Sequence, residues 1–295
     1  MMGEMTTVKA LNEDAVFGAY VARPIGSANA AVIVIPEIFG VNAGIRQKCD
    51  NWADAGYLAV AIDIFWRFAP GVELNPDVEA ELQEAFGYFG QYDADGGVLD
   101  IEAAIHAIRR GELGGEAIEK VGCVGYCLGG RLAYMAATRT DITASVGYYG
   151  VMIDSMLNEA HAIANPLMLH IPTADHFVGA EAQAAMHAEL DSHPKVVLHD
   201  YQGLDHGFAA EMGNRRDEEG ARLADGRTAE FFHTHLRSRL ELLTAVQPES
   251  EVGFHAIPLI GDNRIDDSVA VATIHNSVVA QYAVALCTEA LNRTL

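Results

Sequence analysis

Six short apolar segments, separated by stretches whose apolar residues recur at helical spacing, limit what this 295-residue chain can fold into. The segments cover residues 30–36, 57–64, 120–125, 143–149, 166–171 and 195–201. Continuous apolar runs of this length are typical of parallel strands that are buried on both faces. Helices are predicted between and after them, at 43–55, 97–110, 131–138, 180–190 and 226–243. The alternation predicts a three-layer α/β/α fold with a mostly parallel sheet.

The alternation stops near residue 243, so the chain is predicted to consist of a main domain at 1–243 and a C-terminal extension at 244–295. The extension contains a long mixed apolar stretch at 268–290. Such a stretch needs to be covered, and we expect it to contact the main domain or a second subunit. The extension is therefore a candidate surface for a homo-oligomer, and its residues do not select between these roles.

Composition excludes several classes of function. Half of the residues are apolar, which is too many for a disordered chain, yet no apolar run reaches the length of a membrane span. The net charge of −22 repels phosphate backbones and anionic membrane surfaces, so neither nucleic acid nor a membrane is expected as a partner. Residues 1–10 lack the apolar core of a signal peptide. We therefore predict a soluble cytoplasmic protein.

A six-residue segment with the sequence GYCLGG, at 125–130, joins a predicted strand to a predicted helix. This is the pattern of a nucleophile elbow, with Cys127 where serine is more usual. Gly125 and Gly129 leave room for the strained backbone of such a turn. The helix N-terminus below the thiol favours the thiolate through its partial positive charge. Cys127 is the predicted nucleophile, although a small buried cysteine without a chemical role fits these six residues equally well.

Two acid–histidine segments follow later strands and offer partners for the thiol. Asp175 follows the strand at 166–171, and His206 follows the strand at 195–201. Catalytic groups in open parallel sheets gather outside the carboxyl ends of the strands, so both side chains should meet Cys127 there. In a catalytic triad, His206 would take the thiol proton and Asp175 would fix the tautomer and orientation of its ring. His176 is a second candidate for the base.

The loop after the first strong strand, with the sequence IPEIFG at 35–40, should reach the same edge of the sheet. An oxyanion hole in this arrangement takes one backbone N–H from the residue after the nucleophile and one from this loop. The two predicted donors are therefore Leu128 and Ile38. The carboxylate of Glu37 would lie in the same pocket as the thiol. It either caps the following helix or competes with His206 for the thiol proton.

Together these motifs resemble the dienelactone hydrolase family. The shared segments are IPEIFG, GYCLGG, ADHF at 174–177 and DHGF at 205–208, and the resemblance extends over residues 14–243. It implies an α/β-hydrolase fold and a carboxymethylenebutenolidase-like enzyme, a hydrolase of small activated esters or lactones with a Cys-His-Asp triad. It also implies that Glu37 contacts the resting thiol and helps to activate it when substrate enters. This chemistry needs no cofactor and no metal.

The family further implies that arginine side chains bind the carboxylate of the substrate. The segment IFWRFAPG at 64–71 makes Arg67 the candidate. Family enzymes that cleave dienelactone carry a second arginine four residues after the catalytic histidine, where this chain has Ala210. On so acidic a protein, Arg67 is the main local attraction for a carboxylate. The missing second arginine directs the prediction towards monoanionic or neutral esters.

Three other functions fit parts of the sequence. A thioesterase or another acyl hydrolase would use the same thiol. A reversible disulfide between Cys123 and Cys127 would indicate a redox role, but extended strand geometry separates these two residues too far for a bridge. A non-catalytic binding protein could retain a hydrolase fold without turnover. The remaining cysteines, Cys49 and Cys287, complete no zinc-binding spacing.

Overall fold

The computed structural model describes residues 3–113 and 115–237, which form an eight-stranded mixed sheet with helices packed against it. The strands lie in the order β1-β2-β4-β3-β5-β6-β7-β8. The pairs β1–β2 and β2–β4 are antiparallel, and every other neighbouring pair is parallel. The strands are β1 (Glu4–Lys9), β2 (Val16–Ala22), β3 (Ala30–Ile35), β4 (Leu58–Ile62), β5 (Lys120–Tyr126), β6 (Ala144–Tyr148), β7 (Leu167–Pro172) and β8 (Val196–Tyr201).

Helices connect the parallel strands, and several begin at side-chain caps. The Asn42 side chain accepts a hydrogen bond from the Ile45 amide at the start of α1, and Asp217 accepts one from the Gly220 amide at the start of α6. The helices are α1 (Ala43–Asp54), α2 (Glu79–Gln91), α3 (Ala94–Arg109), α4 (Leu128–Arg139), α5 (Ala180–Leu190) and α6 (Glu218–Leu236), with a 3₁₀ segment at Asp154–Ala162.

The core lies along the central strands. Every residue of β3 and β4 is buried, as is every residue of β6 and β7. Helices cover the parallel part of the sheet, which explains why these strands are uniformly apolar rather than alternating. The predicted three-layer α/β/α fold with a mostly parallel sheet is confirmed.

Several details differ from the sequence-based prediction. The antiparallel strands β1 and β2 and the helix α2 were not predicted, and α4 begins at Leu128, directly after Cys127, rather than at residue 131. The helix predicted at 226–243 spans Glu218–Leu236. Among the described residues, no helix has the length and apolar character needed to cross a membrane. The extension at 244–295, with its suggested role in subunit contacts, lies outside the described residues, so the division into two domains stays a prediction.

Candidate active site

Four predicted site residues come after four parallel strands and meet at their carboxyl ends. Glu37 follows β3, Cys127 follows β5, Asp175 follows β7 and His206 follows β8. Three of them line one pocket, and Asp175 lies behind His206. The full lining is Glu37, Ile38, Phe39, Leu82, Phe86, Phe89, Cys127, Val151, Phe177, His206 and Arg215.

Cys127 occupies a strained turn between β5 and α4. Its backbone has φ 56° and ψ −112°, in the region that non-glycine residues rarely adopt. A Cβ at Gly125 would lie 1.8 Å from the Gly129 carbonyl oxygen, and a Cβ at Gly129 would lie 2.2 Å from the Ile35 carbonyl oxygen. Neither position can hold a side chain without moving the main chain, which confirms that the two glycines make room for the elbow.

Asp175 and His206 form a buried hydrogen-bonded pair. His206 donates through Nδ1 to Asp175 Oδ2 at 2.9 Å. Asp175 Oδ1 in turn accepts the backbone amides of Phe177 at 2.8 Å and Val178 at 3.1 Å. Because these amides fix the carboxylate and the carboxylate can only accept, the proton of the imidazole is held on Nδ1 and the lone pair of the neutral ring on Nε2.

The other ring nitrogen of His206 faces the reactive side of the site. Nε2 is buried and, apart from the Cys127 sulfur, has no candidate hydrogen-bond partner in the described part of the chain. Burial alone would lower the pKa of His206, but the negative charge of the Cys127 thiolate and the hydrogen bond to Asp175 outweigh it and raise the pKa to about 10. The imidazolium form of His206 is therefore favoured at neutral pH.

Glu37 faces the same pocket from the end of β3. Loss of solvent raises the pKa of its carboxyl group, and the nearby cationic groups of His206, Lys48 and Arg215 oppose that rise. Lys48 is buried on α1, with its Nζ 3.1 Å from Glu211 Oε1. Glu37 thus lies near three basic side chains and in the same pocket as the thiol, where a carboxyl group of raised pKa can exchange a proton.

The two predicted oxyanion-hole residues occupy suitable positions. Leu128 is the first residue of α4, and amides in the first turn of a helix have no intrahelical acceptor. Ile38 lines the pocket in the turn that follows β3. Leu128 thus directly follows Cys127, and Ile38 shares the pocket lining with it; the role of their amides as an oxyanion hole stays a prediction.

The structure does not bring Arg67 into this pocket, and the sequence-based assignment is corrected here. Its guanidinium donates through Nη1 to Asp100 Oδ2 at 2.6 Å and through Nη2 to Asp100 Oδ1 at 3.0 Å. Nε donates to Glu13 Oε1 at 2.9 Å, and the guanidinium lies over the Trp66 ring, 4.4 Å from its centroid. With its donors engaged by two carboxylates, Arg67 acts as part of the fold.

Arg215 is the arginine that lines the pocket, and the sequence analysis did not select it. It makes no ion pair within residues 3–113 and 115–237. Its side chain lies against Gly207, the residue after the predicted base. The signal in the sequence was weak, because Arg215 stands nine positions after His206 in a segment without regular structure.

Other candidate residues have different contacts. His176, the second candidate base, pairs through Nδ1 with Asp205 Oδ1 at 2.7 Å, in an exposed position. Their ligand atoms and those of Asp175 lie within 4.8 Å of one another, but the carboxylate oxygens already accept hydrogen bonds from amides and imidazoles. Cys123 lies buried against Ser145, and His170 hydrogen-bonds the Tyr201 hydroxyl at 2.7 Å; both are outside the pocket.

Comparison with protein families gives one consistent result. The model of the dienelactone hydrolase family matches residues 17–236. A protein of Azospirillum brasilense, provisionally named carboxymethylenebutenolidase, is 41% identical over 225 residues, which cover 76% of this chain and 96% of that protein. The carboxymethylenebutenolidase of Pseudomonas putida is 34% identical over 216 residues, 73% of this chain and 90% of that protein.

Solved structures show the same fold. The crystal structure of a provisionally named dienelactone hydrolase from Klebsiella pneumoniae superimposes with a TM-score of 0.67 at 24% identity, covering 79% of this chain and 99% of that one. The similarity ends near the end of α6 in the family match, so it does not reach the residues beyond 237.

Proposed function

Because the chain belongs to the dienelactone hydrolase family and is a hydrolase of that type, we propose that it cleaves small activated carboxylic esters or lactones with Cys127 as nucleophile. His206 is the acid and base, and Asp175 orients it. One observation carries the proposal: Asp175 holds Nδ1 of His206 at 2.9 Å while the buried Nε2, left without another partner, is free for proton transfer at Cys127.

In the first step, the Cys127 thiolate attacks the carbonyl carbon of the ester. The negative charge moves to the carbonyl oxygen, where the amides of Ile38 and Leu128 stabilise it. The tetrahedral intermediate then collapses, the carbon–oxygen bond of the ester breaks, and His206 gives its Nε2 proton to the departing alkoxide. The products of this step are an alcohol and a thioester on Cys127.

In the second step, neutral His206 takes a proton from a water molecule, which attacks the thioester carbon. Collapse of the second tetrahedral intermediate breaks the carbon–sulfur bond and releases the carboxylic acid. Asp175 keeps Nδ1 protonated throughout, so Nε2 alone exchanges the proton. The free enzyme returns to the thiolate–imidazolium pair that the raised pKa of His206 favours.

Glu37 and Arg215 have supporting roles in this proposal. Glu37 exchanges a proton with the resting thiol, because its carboxyl group lies in the same pocket with a raised pKa. Arg215 takes the place that the sequence analysis gave to Arg67: it is the pocket cation that would bind a carboxylate of the substrate.

The test is the fate of the acyl group. Wild type mixed with p-nitrophenyl acetate should release nitrophenolate and carry an acetyl group on the peptide that contains Cys127, detected by mass spectrometry after acid quenching. Cys127→Ala should lose both signals, with turnover reduced by about a thousandfold or more. Cys123→Ala is the matched control, since Cys123 is a buried cysteine on β5, four residues before Cys127, that does not line the pocket. Unchanged turnover in Cys127→Ala would overturn the mechanism.

A further inference from the structure

One wall of the active-site pocket has no role in the proposed chemistry. It consists of Leu82, Phe86 and Phe89 from α2, together with Phe177 from the loop after β7. The three helix residues stand four and three positions apart, which places them on one face of α2. We call these four residues the α2 wall.

The apolar face of α2 is only partly covered by the core, because Leu82 and Phe89 are half-buried against it. Ala85 is the buried residue of this helix, whereas Phe86 is 37% exposed. Phe177, opposite it, is 43% exposed. An amphipathic helix is usually held by packing its apolar stripe on the core, and here the stripe both packs on the core and lines the pocket, with Phe86 left exposed to contact a ligand.

One residue of the α2 wall, Phe177, contacts the proposed base His206. The Phe177 ring meets the His206 ring edge-on, with centroids 4.8 Å apart, and its backbone amide donates to Asp175. The Phe86 ring lies 6.2 Å from the Phe177 ring, and both rings line the same pocket as Cys127. A group attached to a carbonyl carbon at Cys127 would therefore lie next to these rings.

The α2 wall itself carries no charged side chain; the charged residues of the lining are Glu37, His206 and Arg215. We infer that the α2 wall is a subsite for an apolar substituent of the substrate, aromatic or branched alkyl, so that esters carrying such a group are preferred to small or polar ones. This inference rests on the proposed function, because it assigns the substrate class of the same site.

Apolar contact of this kind has a measurable effect on selectivity. One methylene group in a hydrophobic pocket changes kcat/KM by about tenfold or more. With the leaving group held constant, wild type should hydrolyse p-nitrophenyl phenylacetate and p-nitrophenyl isovalerate at least about tenfold more efficiently than p-nitrophenyl acetate. A second series with a constant acetyl group and benzyl, isobutyl or ethyl alcohols, which are leaving groups of similar acidity, tests the alcohol side of the ester.

The variants are Phe86→Ala and, as a matched control, Phe68→Ala. Phe68 has nearly the same exposure, 41%, but does not line the pocket. Phe86→Ala should reduce the preference for phenylacetate over acetate by about threefold to tenfold, while Phe68→Ala leaves it unchanged. Phe86→Leu, which keeps an apolar group, should retain most of the preference for phenylacetate.

Failure of this inference is distinguishable from failure of the proposed function. If turnover depends on Cys127 but neither ester series shows a preference for the larger apolar group, the subsite is refuted and the mechanism stands. If no ester is hydrolysed, ligand binding tests the subsite instead. Titration calorimetry of Cys127→Ala should give at least about tenfold tighter binding of phenylacetamide than of acetamide. Adding Phe86→Ala should weaken the binding of phenylacetamide. Equal binding of the two amides would refute the subsite.

Discussion

Replacing Arg67 by alanine should lower stability and leave catalysis intact. Arg67 makes two hydrogen bonds to Asp100, whose side chain is 1% exposed, while the arginine itself is 28% exposed. After the substitution the Asp100 carboxylate stays buried with only the Trp66 indole N–H, at 2.9 Å, as a side-chain donor. Removing one partner of a buried ion pair costs about 3–5 kcal/mol, and partial exposure of Arg67 places the expected loss at about 3 kcal/mol.

The loss of stability in Arg67→Ala should depend on pH, and the pKa of Asp100 determines whether it grows or shrinks as pH rises. Burial raises the pKa of Asp100 even in the wild type, where Arg67 opposes the rise, so Arg67→Ala should raise it further. A carboxyl group whose folded-state pKa is raised contributes stability below its unfolded pKa of about 3.9 and loses it as pH rises through the folded value. The deficit of Arg67→Ala relative to wild type should therefore be larger at pH 8 than at pH 5.

The assay compares urea unfolding with steady-state kinetics in two variants. Arg67→Ala should shift the urea midpoint and keep the wild-type KM for an ester that carries one carboxylate. Arg215→Ala should show the reverse: a free energy of unfolding changed by at most about 0.5 kcal/mol, and a KM raised only about twofold to threefold for the anionic ester and unchanged for a neutral one, because Glu37 offsets part of the attraction. An unchanged midpoint with a raised KM in Arg67→Ala would refute the reasoning.

Three further predictions concern the catalytic elements. Because the pKa of His206 is about 10 and its protonated form is the acid of the first step, kcat/KM should fall only near pH 10, and Asp175→Asn should move that limb to lower pH; an unmoved limb would contradict the pairing. Gly129→Ala places a Cβ 2.2 Å from a main-chain oxygen of β3, so urea unfolding should show a loss of about 2–3 kcal/mol. Lys48→Met removes a charge that opposes the raised pKa of Glu37, so the acid limb of kcat/KM should move to higher pH, whereas a purely structural role would leave the pH profile unchanged.

The parallel strands and the convergence of the site were predictable from sequence because both follow from local patterns. A strand buried on both faces is apolar throughout, as β3 is, and its end marks the edge where side chains gather. The elbow is equally local, since Gly125 and Gly129 flank Cys127 within five residues. The roles assigned to these residues in catalysis remain predictions that the experiments above address.

Arg67 and α2 could not be interpreted from local patterns. The partner of Arg67 is Asp100, 33 positions away on α3, and nothing near Arg67 in the sequence identifies that carboxylate. The apolar spacing of Leu82, Phe86 and Phe89 is visible in the sequence and predicts one helix face. Whether that face meets the core or a pocket depends on how α2 is placed relative to β7, which is a tertiary property.

The net charge of −22 does not by itself decide the charge of the substrate, because the pocket has its own balance. Arg215 is a cation there, but Glu37 lies in the same lining and, when ionised, offsets much of its attraction for a carboxylate. In a pocket with nearly balanced charge, electrostatic attraction contributes little to selectivity, and burial of apolar area contributes most. The α2 wall should therefore discriminate among esters more strongly than Arg215 does, and Phe86→Ala should change the order of substrate preference where Arg215→Ala changes only the affinity for anionic members.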